Sequence, residues 1–509
     1  MHASDHSRGL SVDAAIVAVF RELRPRSAAT TVGLARSMLR PLPLLSSFAL
    51  LAGNGFMRSL RIICPNGHVG FAPIRVESFR LGVAARPDCI AADSGSDDVG
   101  PIPLGTDTST SPRAWQTHDL EHMLLASRKL RVPMIIGSAG DTGADSRVDL
   151  YVQIIKDLAA KHALPRFKLG YFYSEIGRED LRRRMRAGET VAGLEGYEAL
   201  NEAELDATER IVAMAGVHPF IKLLEAGADV IIGGRSSDSC VFAAPAIHHG
   251  FAEDHAYYLG KVLECASFCA EPYGGKETVL GEITADAVLV TAMHPAQRCT
   301  VASVAGHAMY ERSNPYFEHV AGGTLDMSDC HYEQVAPKTT RVSGAKFRRA
   351  AEFRVKLEGA GKIGERYVGM VGIRDPYTIA HVDEVIGWAR DKVRERFGDA
   401  GYELCYTVYG RDGIMGDMEP MRDRPAHELC ILVQGVAPTA EMAEEICMIG
   451  TRQMFYARLP DVKGSAGSVA FALDEVLRAS PSYRWTINHT LRCDDSLELF
   501  PTHMTSAGI

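Results

Sequence analysis

At 509 residues the chain exceeds one ordinary domain, and two or three domains of roughly 150 residues each fit its length. Its 46% hydrophobic and 23% charged residues form a usual globular mixture, able to bury a large core without a metal or disulfide staple. The formal charge of −9 argues against a nucleic-acid partner, which needs a dense basic surface.

Residues 1–56 do not read like the rest. Their apolar stretch, Pro41 to Gly53, is too short to span a bilayer and too far from Met1 for an ordinary signal peptide. A convincing strand begins only after Met57, so 1–56 is expected to be an extension or a mis-assigned start. From residue 60 to about 240, short apolar runs bounded by Gly, Pro or Asp predict buried strands at Leu60–Cys64, Cys89–Ala92, Pro133–Ile136, Phe167–Phe172 and Asp229–Ile232. Amphipathic segments at His118–Lys129, Arg147–His162 and Glu202–Ala215 alternate with them as helices. This predicts an α/β domain over 57–280, a mostly parallel sheet covered by helices.

Two helical stretches over His248–Cys269 follow, and then the texture changes. Strands are expected at Glu282–Thr291, Thr339–Arg341, Phe353–Leu357 and Tyr367–Arg374. A helix over Ile379–Phe397, strands Glu403–Gly410 and His427–Gln434, and a helix over Thr439–Tyr456 come next. The order predicts a second, α+β domain over 281–509 with a ferredoxin-like unit, completed by Ser468–Leu473. Eleven cysteines without a CxxC pair read as reduced thiols of a cytoplasmic protein, and Cys265 and Cys269 read as buried helical thiols. The basic run Arg182-Arg183-Arg184, flanked by acids, reads as a solvated helix face.

In open parallel sheets ligands sit at the carboxyl ends of strands, so the loops after each strand are where chemistry is expected. Four such loops concentrate small and ionisable residues, and they should meet at one cleft. Pro65–Phe71 has glycines that let a backbone approach a ligand, but not the dinucleotide spacing. Asp93, Ser96 and Asp98 lie in a loop whose three carboxylates and two hydroxyls can orient a substrate hydroxyl, hold a cation such as Mg²⁺, or act as acid and base. A plain Asx-type turn is the alternative there. Gly137, Ser138 and Gly140 precede a helix, where backbone amides suit a carboxylate or phosphate, and no Walker lysine follows. Arg235 can clamp a carboxylate with Asp238 orienting it, while Cys240 lacks a histidine partner. Further on, His307, Tyr310 and Glu311 can act as acid or base, with a hydrogen-bonded structural residue as the alternative reading of the histidine. Neither a nucleotide nor a flavin signature is present.

These loops carry a likeness. Pro87–Gly105, Ile135–Gly140, Gly234–Asp238 with Pro245–His248, and His307–Glu311 match, in order, motifs of the acyclic terpene utilisation AtuA-like family, which the chain therefore resembles. Asp93, Ser96, Asp98, Gly100 and Pro101 keep the family pattern, whereas Asp97 stands where Thr is expected, Val99 where Pro is, and Asp141 where a small residue is. The resemblance implies catabolism of acyclic terpenes or branched carboxylic acids, free or as CoA thioesters, but brings no assigned mechanism.

The residues and the resemblance together point to a hydratase or lyase acting on a small or branched carboxylic or hydroxy acid. Asp93, Ser96, Asp98, His307 and Glu311 would be catalytic, and Gly137, Ser138, Gly140, Arg235 and Asp238 would bind substrate. A homo-oligomer is expected, with neither membrane nor nucleic acid as partner. The alternative is a noncatalytic substrate-binding subunit completed by a small partner protein.

Overall fold

Alternation of side chains along the short apolar runs decides the architecture. Ile62 and Ile135 enter one buried cluster while their neighbours Ile63, Met134 and Ile136 enter another, so the sheet they form is covered on both faces. The computed structural model describes residues 59–399, 401–462 and 469–509, and the expectation for 1–56 lies outside them.

Leu60–Cys64, Cys89–Ala92, Met134–Ile136, Val230–Ile232 and Phe167–Phe172 lie side by side in that order and pair in parallel. Helices Arg113–Leu130 and Asp145–Lys161 cover one face. Helices His218–Glu225, Asp238–His248 and Glu253–Leu263 cover the other. The protein is thus mixed α/β, but the sheet is less parallel than expected. Val279–Ile283, Val288–Ala292, Thr339–Ser343 and His331–Ala336 extend it antiparallel beyond Leu60–Cys64, and Thr502–Ala507 closes the other edge antiparallel to Phe167–Phe172. The expected boundary near 280 therefore falls inside a strand, and one ten-stranded sheet runs across it.

The later elements run strand Arg354–Ile373, helices Pro376–Ala380 and Val382–Phe397, strands Glu403–Tyr409 and Leu429–Ala437, helix Ala440–Phe455, and strand Leu477–Arg492. Their sheet order is Glu403–Tyr409, Leu429–Ala437, Arg354–Ile373, Leu477–Arg492, all antiparallel. Asp375 caps Pro376–Ala380 and Thr439 caps Ala440–Phe455, each side chain accepting a backbone N–H three residues on.

Three segments differ from the sequence expectation. The helix expected over Glu202–Ala215 stops at Asp206, and Arg210–Ala213 becomes a strand paired with Arg354–Ile373, because Asn201 caps only a short turn and the apolar run finds an edge to join. The separate strands expected around 353 and 367 are one 20-residue strand, whose Gly359 and Gly364 sit at bulges that bend it. The strand completing the second sheet is Leu477–Arg492; the expected Ser468–Leu473 contributes only Ala470–Phe471, paired with Val371 and Gly372.

Candidate functional site

Because the parallel strands run the same way, their carboxyl ends share one edge of the sheet, and the four loops meet there. Backbone bonds knit them. Val69 N–H donates to Asp93 O, Asp141 N–H to Ser94 O, Ser138 N–H to Gly234 O and Arg235 N–H to Gly143 O. Asp119, buried on helix Arg113–Leu130, anchors the first loop by accepting from Asn66 Nδ2 and from the amides of Gly70 and Ile74 at 2.8–2.9 Å. Glycine is required at position 67, where φ is +80° and a Cβ would lie 2.6 Å from Cys265 Cα.

Three of the four loops, 65–71, 93–101 and 233–240, contribute to the lining of a cleft of about 680 Å³, which no residue of 137–145 lines. Asp93, Asp238, His68, Glu264 and Cys265 line it together with Ser96, Asp97, Asp98, Glu195, Tyr310 and Glu311, and Phe71, Phe268 and Lys276 complete the wall. Asp93 is 3% exposed. Its Oδ2 accepts Gly95 N–H at 3.0 Å, while Oδ1 is buried with no hydrogen-bond partner. Gly137 makes room for it, since a Cβ there would come within 2.6 Å of that Oδ1. Burial raises the Asp93 pKa against the opposing pull of His68 and Arg235. Burial, with the Asp93 charge next, raises Asp238 well above the usual carboxylate range. Both shifts thus run upward, by burial first at each carboxyl and, at Asp238, by the charge of Asp93 next.

Asp141 behaves oppositely. Burial works against its ionisation, but hydrogen bonds from His68, Thr110 and Ser109 outweigh it and hold the carboxyl well below the usual range. It accepts from Thr110 Oγ1 at 2.7 Å and from Ser109 Oγ and Ser111 Oγ at 2.9 Å, and faces His68 Nε2 at 3.4 Å. Asp141, the residue standing where the resemblance leads one to expect a small one, thus fixes the His68 ring and the 109–111 loop. A depressed folded pKa contributes stability that is present above the unfolded value, about 3.9, and lost as pH falls through the folded one. The melting temperature of Asp141→Asn should therefore lie below that of the parent at neutral pH and approach it below about pH 4, as calorimetry across pH would show.

The other sequence candidates divide. Ser96 and Asp98 reach the cleft, but Ser96 Oγ also accepts Asp98 N–H at 3.1 Å, so the expected local turn is present as well. Glu311 lines the cleft; His307 does not. His307 is 5% exposed, lies 3.0 Å from Glu264 O through Nε2, stacks on Tyr310 with ring centroids 5.1 Å apart, and is lowered to about 4 by burial and by Lys261. A neutral imidazole there supports the Glu264–Tyr310 wall. Gly137, Ser138 and Gly140 are buried at the sheet edge, where Ser138 Oγ donates to Ser236 O at 3.1 Å and accepts from Arg235 Nη1 at 3.3 Å.

Arg235 itself lies behind the cleft. Its Nε and Nη2 donate to the two oxygens of Glu358 at 2.8 and 3.1 Å, and Asp238 Oδ1 lies 3.7 Å from Nη1. The fork expected to clamp a substrate carboxylate is filled by the protein's own. Cys240 is fully buried, and burial pushes its thiol far up. Iodoacetamide at neutral pH should leave Cys240 unmodified in the native protein and label it after denaturation, as peptide mapping would show.

Reading the sequence alone did not single out His68, Glu264, Lys261, Lys276, Lys356 or Glu358. His68 sits among the glycines of the loop after the first strand, and that place is the signal the sequence offers for it. The others lie on a helix, in a loop and on a strand far along the chain, and only the fold brings them here. Lys261 pairs with Glu264, and burial, against the pull of Lys261, pushes the Glu264 carboxyl up to about 7. Lys356 Nζ donates to Asp97 Oδ2 at 2.7 Å and lies 3.1 Å from Glu358. Among the described residues no group of three or more His, Cys, Asp or Glu is arranged to hold a metal ion, and no helix is long and apolar enough to cross a membrane.

Residues 60–487 match the family model described as acyclic terpene utilisation family protein AtuA, so the likeness extends well past the Tyr310 region. No curated protein and no solved structure matches the chain. The chain belongs to the acyclic terpene utilisation family AtuA, which ties it to the catabolism of acyclic terpenes.

Proposed function

We propose, taking that family membership as premise, that the protein is a cytoplasmic catabolic enzyme that adds water to, or eliminates it from, a small or branched carboxylic or hydroxy acid or its CoA thioester. The observation that carries this reading is that Asp93 and Asp238 line one cleft, Asp93 only 3% exposed with one oxygen left unpartnered, and that both carboxyls are pushed up. Hydration α,β to a carbonyl needs an acid and a base at once. With one proton between them, the ionised carboxyl takes a proton from water as its oxygen bonds to the β-carbon. The protonated partner delivers its proton to the α-carbon, and elimination is the same path reversed. His68, held by Asp141, stands beside Asp93 and tunes its charge. Ser96 and Asp98 reach the cleft from the same loop to meet a substrate hydroxyl.

The test is solvent exchange. Incubation of branched 2-enoic acids, free and as thioesters, in deuterium oxide should place deuterium at the α-carbon, read by mass spectrometry, with Asp93→Asn as the control. Absence of exchange with ligands that demonstrably bind would sink the enzyme reading and leave a binding subunit.

A further inference from the structure

We propose that the segment joining strands Glu403–Tyr409 and Leu429–Ala437 is the surface through which two copies of this chain pair across a two-fold axis, each seating its apolar knob in a pocket of the other.

The segment, residues 410–428, is tied down along its length. Gly413 N–H donates to Val408 O at 2.9 Å, Gly416 N–H to Asp412 O at 2.7 Å, and Arg424 N–H to Met421 O at 3.0 Å. Met421 N–H donates to Glu419 Oε1 at 2.9 Å. Arg411 pairs with Asp383, and Arg422 with Asp412 and Asp417. Its polar groups are thus spent on holding its shape, while its apolar side chains face out. Ile414 is 82% exposed, Met418 77% and Met421 53%. A contiguous apolar patch of this kind marks an association surface, and a segment already ordered loses little entropy on docking. Methionine and arginine, which this segment concentrates, are the residues enriched at such surfaces.

A receiving pocket lies on the same segment. It measures about 380 Å³, ample for a methionine side chain, with Val382 and Leu429 in its buried lining and Asp423 and Arg424 in its exposed lining. Ile414 and Met418 do not line it, so the chain's own knob leaves it open. Knob and pocket side by side on one segment are what a two-fold contact requires, because the same patch then meets itself and both pockets are filled at once. Such a patch must also carry both signs of charge. Asp423 and Arg424 are neighbours, both exposed, and neither pairs with an opposite charge among the described residues. The two-fold axis sets Asp423 of each protomer against Arg424 of its partner, and this self-complementarity is why the occupant is a second copy.

Sedimentation velocity of the full chain at micromolar concentrations tests this. The parent should sediment as a dimer, and Met418→Asp should raise the dimer dissociation constant at least about thirtyfold, the loss expected of a buried anchor. Asp423→Arg and Arg424→Asp each give the pocket rim a single sign, so each should weaken its own dimer. Mixed together, the two variants should associate again, because opposite charges then face each other on both sides of the axis. All three positions are exposed, and circular dichroism checks that each variant keeps its fold. A monomeric parent, a dimer that Met418→Asp leaves intact, or a mixture no more associated than its two components would each overturn the proposal.

Discussion

Asparagine in place of Asp93 should lower turnover by roughly 10²- to 10⁴-fold, the contribution of a positioned acid or base, while the protein becomes no less stable. Asparagine keeps the size of the side chain and an oxygen to accept the Gly95 amide, so the loop is retained. What is lost is a group that exchanges a proton. The stability arm follows from the direction of the shift. A carboxyl whose folded pKa lies above its unfolded value favours the folded state fully only below the unfolded value, near 3.9, and that contribution is lost as pH rises through the folded pKa. The parent should lose stability over that rise through the Asp93–Asp238 pair, and Asp93→Asn should lose less of it. Rate assays paired with thermal melts between pH 4 and 8 distinguish the outcomes. A variant that is both inactive and unfolded would assign Asp93 a structural role. One that is stable and fully active would remove it from the chemistry.

The same pair shows what could be read before the fold was known. Asp93 and Asp238 were both visible as polar residues just after buried strands, because parallel-sheet geometry sends such positions to one edge. The backbone bonds between Val69 and Asp93, and between Ser138 and Gly234, show that edge assembled. The partners lying beyond the parallel core were not visible. Glu358 sits mid-strand, in a Gly-rich stretch that reads as a break between two strands, and nothing local places it opposite Arg235. An isolated arginine after a strand looks like a ligand clamp until its carboxylate is found. From the sequence His307 reads either as an acid or base or as a hydrogen-bonded structural residue, and nothing local decides between them. Burial, however, lowers it to about 4 and turns it into a wall support. Chain order carried the strand ends; pairing across the two sheets decided which charges remain free.

The Arg235–Glu358 pair should accordingly be the most expensive polar contact to break, and asymmetrically so. Both residues are nearly inaccessible, at 3% and 4% exposure, and they join the edge of the ten-stranded sheet to strand Arg354–Ile373 of the second sheet. Burial alone would disfavour the Arg235 charge, and Glu358 overcomes it, holding the guanidinium charged. Removing one partner of a buried pair typically costs about 3–5 kcal/mol, because the other charge is left in a dry site. Arg235→Met would leave Glu358 with Lys356 at 3.1 Å as a second cation. Glu358→Leu would leave Arg235 with Asp238 at 3.7 Å, the weaker pull of Asp97 and the Ser138 hydroxyl, and Asp238 is itself pushed towards its neutral form by burial and by Asp93. Glu358→Leu should therefore be the more destabilising single change, and the double variant should recover much of the loss, since apolar replacement of a whole buried pair is often neutral. Denaturant midpoints of the parent, both singles and the double make the cycle. A larger loss in Arg235→Met would mean that Lys356 does not compensate Glu358. Arg235→Lys then acquires a different meaning from that of a weakened substrate clamp. It should harm the protein more than Cys240→Ala because lysine cannot reproduce the two parallel bonds to Glu358, and the harm should show first in the melting curve.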